Sequence, residues 1–211
     1  MRRHLIRLCV LAAFCLPACQ STPPLSDLPF HDDFSAPGGW LLNDTDQVPI
    51  FYQDGALHII VNVPDQATWS VIGKRAGDFV LDVDAAQVDG PDNNHYGVIV
   101  RFADQDNFYR LDISGDGYYS IQRKRGNQFE VLINWPESPA IKRGVATNHL
   151  RVIAAGPTLT LSVNGTELGH IDNVDILEGD VGLTAGTFAD ETGVHVAFDN
   201  FAVNPLEKPE P

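Results

Sequence analysis

The chain is 211 residues long and carries 28 Asp and Glu against 14 Lys and Arg, a formal net charge of −14. A field of that sign repels phosphate backbones and anionic lipid headgroups, which sets nucleic acid aside and leaves neutral ligands, cations or basic surfaces as partners. The length suits one domain with a two-layer core. All three cysteines (Cys9, Cys15, Cys19) precede residue 20, so no disulfide staples the rest of the chain.

Arg2, Arg3 and Arg7 give the chain a basic start, and "LCVLAAFCL" (8–16) is an apolar run too short to span a bilayer. Leu16-Pro17-Ala18-Cys19 comes next and resembles a bacterial lipobox, which is cut before a cysteine that then receives lipid. Residues 1–19 are therefore expected to be a signal peptide and Cys19 a lipid anchor point facing away from the cytoplasm. An ordinary secretory peptide cut nearby is the alternative. Removal of the leader leaves about 11 basic residues against 28 acids, so the exported part is more acidic still. Gln20 after the cysteine is not the Asp associated with inner-membrane retention, and the sequence does not say which membrane holds the anchor.

"QSTPPLSDLP" (20–29) reads as a polar, proline-rich tether, residues 30–204 as one domain, and "PLEKPEP" (205–211) as a disordered tail. Within the domain the hydrophobic period is two. "FVLDVDA" (79–85), "HYGVIVRF" (95–102), "FYRLDI" (108–113) and "HLRVIA" (149–154) all alternate, with Gly, Asp and Asn between them. "TLTLSV" (158–163), Asn164-Gly165 and "TELGHI" form the firmest hairpin, because Asn-Gly suits a type I′ turn. No stretch carries a helical stripe. The spacing predicts an all-β, antiparallel two-sheet sandwich.

"DISGDGYYSIQR" (112–123) mimics a calcium loop at its first six positions, but Arg123 stands where the bidentate acid belongs. Its flanks alternate as strands, so Ser114 to Gly117 is expected to be a turn. Tyr96, Val98, Val100 and Phe102 should point inward, with Tyr109, Leu111, Ile113, Tyr119 and Ile121 as partners. The opposite face then displays Arg101, Phe108, Arg110, Asp112, Tyr118 and Gln122, a set of forks, rings and amides suited to sugar hydroxyls and sugar faces. On that reading, removing Arg101 and Arg110 costs binding and little stability. Core packing is the first reading for both Trp69 and Trp135; the alternative, at Trp135 before Pro136 at a strand end, is a ring that edges the same groove.

"HDDFSAPGGW", "YGVIVRFADQDNFYRLDISGDGYYSI" and "VHVAFDNFAV" together resemble the concanavalin A-like jelly-roll group, and within it the bacterial domains named after 3-keto-disaccharide hydrolases. The resemblance covers residues 30–204. It implies a jelly roll whose concave sheet carries the ligand and whose first and last strands are neighbours, bringing Phe34 and Trp40 near Phe198 and Phe201. The group mixes glycan-binding modules with hydrolases or lyases, and a structural calcium is common on its convex side. Asp33 and Asp199 are the candidates for such an ion. His31 and His195 could also approach if the terminal strands pair.

Asp82 and Asp84 share a strand face about 6.5 Å apart, near the range of paired glycosidase acids. Hydrolases of this fold carry Glu-x-Asp-x-x-Glu or a close relative there, whereas Ala85, Ala86 and Gln87 come next here. Thr184 and small residues stand after the "GL" of "VGLTAGTFAD", where the resembling enzymes often have a polar residue. The expectation is a glycan- or ligand-binding lipoprotein without catalysis. A glycan hydrolase or lyase and a structural envelope protein are the alternatives.

Overall fold

A computed structural model describes residues 28–207. The leader with Cys19, most of the tether and the last four residues of the tail lie outside the described residues. The described chain forms β1 (Phe30–Asp32), β2 (Ile50–Gln53), β3 (Ala56–Val61), β4 (Ala67–Val71), β5 (Phe79–Asp89), β6 (Asn94–Asp104) and β7 (Asn107–Ile113). It continues with β8 (Tyr119–Arg125), β9 (Gln128–Ile133), β10 (Thr147–Ala155), β11 (Thr158–Val163), β12 (Thr166–Ile171), β13 (Asp180–Thr187) and β14 (Val194–Pro205). Pro205, expected in the tail, closes β14.

Two antiparallel sheets result. One runs β12-β11-β10-β5-β14-β3-β2, with β1 also paired to β14, and the other runs β4-β13-β6-β7-β8-β9. This is the antiparallel two-sheet sandwich that the period-two pattern predicted, and the jelly roll that the resemblance implied. Alternate residues of each strand meet between the sheets: Leu81, Val83 and Ala85 from β5, Val98 and Val100 from β6, and Leu111 and Ile113 from β7 are all fully buried in one core. A buried aliphatic side chain contributes about 1.5–3 kcal/mol, so a core of this extent needs no disulfide.

The hairpin at 164–165 has both residues in the left-handed region, φ 51° at Asn164 and 83° at Gly165, as a type I′ turn requires. The terminal strands pair as expected, with Asp32 opposite Phe201. Trp40 packs 4.9 Å from Phe201 and 5.5 Å from Phe34 between ring centroids, and its indole N–H donates to Asp32 Oδ2 at 2.9 Å. His31 and His195 do not meet. His31 faces Ala202 and contacts Asn204, whereas His195 lies farther back along β14 and contacts His58 at 2.8 Å.

One departure from strict alternation rearranges the expected ligand face. Between Val100 and Asp104 the pairing of β6 with β7 slips, and Arg101 takes a left-handed φ of 55°. Such a bulge reverses which face the next residues point to. Arg101 therefore turns inward and is fully buried. Phe102, expected in the core, turns outward and stacks on Phe108 at 5.5 Å. Gly179 permits the bulge, because a Cβ there would lie 2.4 Å from the Arg101 carbonyl carbon.

Candidate functional site

The outer face of the six-stranded sheet is not the solvated polar platform that alternation suggested. Phe108 and Asp112 are 0 % exposed, and Arg110 and Gln122 each 5 %. The cover is aromatic. Trp69 packs on Phe108 at 5.2 Å, so Trp69 belongs to this outer cluster and not to the core between the sheets. Phe129 meets Phe108 edge-on at 6.1 Å, and the Lys124 ammonium sits 5.7 Å from the Trp69 ring and 5.8 Å from the Phe129 ring. The Arg110 guanidinium lies under Phe129, 4.4 Å from its centroid.

Beneath that cover the polar groups serve one another. Arg110 Nη2 donates to Gln122 Oε1 at 2.9 Å, Gln122 donates to Ser120 Oγ at 3.0 Å, and Ser120 donates to the Ile133 carbonyl at 2.9 Å. Arg110 Nε lies 2.7 Å from Asp112 Oδ2 in an ion contact that is not aligned as a hydrogen bond. His95 Nδ1 is 3.6 Å from the same oxygen. The His95 ring has room here because Gly186 has no Cβ, which would fall 2.2 Å from His95 Nε2.

Burial pushes the Asp112 carboxyl up to about 6, against the opposing pull of Arg110. Burial, with Arg110 adding to it, holds His95 well below its ordinary value, so the imidazole is neutral. A carboxyl raised by folding stabilises the fold fully at low pH, and that contribution is lost as pH rises through about 6. His95 acts in the opposite sense, losing stability as pH falls below its unfolded value of about 6.5. We therefore expect wild-type stability, measured relative to Asp112→Asn by urea midpoints, to fall between pH 4 and pH 7. The expected fall is on the order of 3 kcal/mol. His95 is common to both proteins and largely drops out. A pH-independent difference would show that Asp112 titrates normally.

The accessible part of the expected set lies at one end of this sheet. Tyr118 and Trp135 line a cavity of about 290 Å³ together with Asn93, Ser114, Asp116 and Phe188. Trp135 and Phe188 stand 5.4 Å apart at 83°, two apolar walls nearly at right angles. Both rings lie against His95, at 6.5 and 5.4 Å, so the buried network is the wall's support.

The turn between β7 and β8 builds the rest. The Gly117 N–H donates to the Ser114 carbonyl at 3.1 Å, and Gly117 takes a φ of 98°. The Ser114 N–H donates to the Tyr118 carbonyl, and the Tyr118 N–H to Ser114 Oγ. Ser114 Oγ in turn donates to Asp116 Oδ1. The segment after β9 is tied to this turn by Tyr119 N–H to Pro136 O at 3.1 Å and Ser138 N–H to Gly117 O at 2.9 Å. Those two bonds fix Trp135, itself at φ 47°, over the turn. Arg123, which spoiled the calcium pattern, pairs instead with Asp175 at 2.8 Å.

The remaining candidates stand apart. Asp82 and Asp84 lie on the other sheet, where His149 approaches Asp82 at 3.1 Å and Asp84 at 2.9 Å. Arg151 grips Asp82 with two bonds of 2.7 and 3.1 Å, and Asn200 donates to Asp84 at 2.9 Å. Asp33 accepts from the Ser35 N–H in a local turn, and Asp199 accepts from the Asn200 N–H at the bulge within β14. Among the described residues no three His, Cys, Asp or Glu side chains gather as a metal site would require. Thr184 is buried and donates to the Thr68 carbonyl at 2.9 Å.

Sequence reasoning missed Phe188 and Asn93 and dismissed Ser114 and Asp116 along with the calcium loop. The signal that could have found Phe188 is its place as the aromatic directly after the small-residue run "GLTAGT" of β13.

No protein-family profile matches the chain, and no curated protein matches it. Solved structures do. A carbohydrate-binding module, CBM66, from Bacillus subtilis superposes with a TM-score of 0.65 at 16% identity, covering 79% of this chain and 96% of that one. A structure described as a native glycosidic hydrolase gives 0.66 at 10% identity over 88% and 99%. The β-glucanase of Bacillus licheniformis gives 0.61 at 9% identity over 84% and 98%. At these identities the likeness establishes the fold alone: the chain is a jelly-roll sandwich, as these neighbours are.

Proposed function

We propose that this is the glycan-binding domain of an exported lipoprotein, binding a sugar without cleaving it at the Trp135–Phe188–Tyr118 cavity. The observation that carries the reading is that cavity: rings at right angles supply stacking surface, while Asp116 and Asn93 supply hydrogen-bonding groups on the same rim. Its shape suits a ligand with one apolar face and polar edges. The likeness to a protein described as a carbohydrate-binding module supports this use of the fold.

The rival reading is a 3-keto-disaccharide-type hydrolase or lyase, which draws on the sequence resemblance and on the glycosidase neighbours. Glycoside hydrolysis ordinarily uses two carboxyl groups flanking the bond. The cavity lining holds one, Asp116, and the Asp82–Asp84 pair sits on the opposite sheet held by His149 and Arg151. The non-catalytic reading is therefore preferred.

A glycan array probed with the full chain tests it: binding to a defined set of sugars is expected, and binding to none would overturn the reading. Turnover of 3-keto-glucosides with a divalent metal would favour the enzyme. Anchoring rests on the Leu16-Pro17-Ala18-Cys19 stretch. Metabolic fatty-acid labelling should be present in the wild type and absent in Cys19→Ser; equal labelling of both would remove Cys19 from that role.

A further inference from the structure

We propose that the cavity selects a cationic sugar residue, one whose ring carries a free amine. This rests on the reading of the cavity as the glycan site and names its ligand class. Tyr118, Trp135 and Phe188 supply three aromatic rings around one small volume, with two of them in a near-perpendicular pair. The faces of such rings carry negative quadrupolar potential, and an ammonium held among them is attracted to each. The same rings accept the apolar face of a sugar, so an amino sugar uses both properties at once. A cavity of about 290 Å³ lies at the small end of ligand sites and suits a single ring residue.

The charges around the cavity favour a cation. Asp116 is on the lining, partly exposed, and its one hydrogen bond from Ser114 leaves further lone pairs on the carboxylate. Asn93 reaches toward Glu191, whose Oε1 lies 3.5 Å from its amide nitrogen. Asp92 flanks the β7–β8 turn and accepts from Gln87 at 2.9 Å. The cations nearby are already matched. Arg143, packed against Gly117, pairs with Glu137. Arg110 is buried against Asp112. His95 behind the aromatic wall is uncharged at neutral pH. The net charge of −14 adds a field that concentrates cations and disfavours uronic acids.

Calorimetric titration of the full chain in detergent, at pH 6 and moderate salt, tests the proposal. The ligands are glucosamine oligosaccharides, their fully N-acetylated counterparts and cello-oligosaccharides of equal length. The free-amine form is expected to bind about tenfold or more tightly than either neutral form, the size of a hydrogen bond to a charged group. Asp116→Asn, which preserves the shape of the turn, should narrow that gap to within about threefold. Trp135→Ala should remove binding of the free-amine form. Equal or tighter binding of a neutral sugar would overturn the amine preference and leave the glycan reading standing. Free-amine binding that survives Trp135→Ala would overturn the proposal as diffuse attraction to an acidic surface. Binding of none of these or any other sugar would remove both.

Discussion

Trp135→Ala is expected to abolish detectable glycan binding while leaving the thermal melting temperature within a few degrees of wild type. The indole forms one of the two perpendicular walls of the cavity, 5.4 Å from Phe188. Aromatic anchors at the centre of a site commonly cost 2 kcal/mol or more when truncated, about thirtyfold in affinity, and sugar ligands have little affinity to spare. The fold should tolerate the loss. Trp135 stands outside the core between the sheets, in a segment held by the backbone bonds from Tyr119 and Ser138 to Pro136 and Gly117, which an alanine retains. Phe129→Ala is the control: its ring lies on the same sheet face, 37 % exposed, but away from the cavity lining. Weakening by Phe129→Ala and none by Trp135→Ala would move the site to the aromatic cluster over Arg110.

The strands were legible because a sandwich strand writes its own geometry into sequence: one face buried, one not, with a period of two. That is why 79–85, 95–102, 108–113, 149–154 and the two arms of the hairpin, 158–163 and 166–171, all fall inside observed strands. The turn at Ser114–Gly117 was legible for a related reason, since its glycines and its alternating flanks left no room for a calcium helix pair. The candidate site was legible only in part. Tyr118 and Trp135 were found, but alternation says which side a residue points to and not whether other side chains then fold over it. Phe108, Arg110, Asp112 and Gln122 do point outward and are buried nonetheless: Trp69, Phe129 and Lys124 close above Phe108 and Arg110, Arg110 lies against Asp112 and Gln122, and His95 lies against Asp112. Phe188 escaped because its role depends on strand order. β13 lies beside β6, which brings Phe188 next to His95 from a segment more than 90 residues away.

Arg101 shows how one backbone angle reverses a functional expectation, and Arg101→Ala should behave as a stability mutant with intact ligand binding. A left-handed φ at Arg101 carries its side chain into the protein, where it is completely buried. Its guanidinium reaches the carbonyls of Gly156 at 3.3 Å and Ile176 at 3.5 Å, lies 3.6 Å from Asp78, and rests 6.0 Å from the Phe79 ring. Alanine would leave a void, two carbonyls without their donor and Asp78 without its cation. Losses of this kind cost about 3–5 kcal/mol. Lysine should restore little, since one ammonium cannot span the two carbonyls in the way a planar fork does. The cavity lies near the opposite end of β6, beside His95, and six strand residues at about 3.4 Å each separate the two by roughly 20 Å. Denaturant unfolding of Arg101→Ala should therefore show a large drop in midpoint, while titration of the folded fraction returns a wild-type affinity. Lost affinity with an unchanged midpoint would instead put Arg101 on the ligand face.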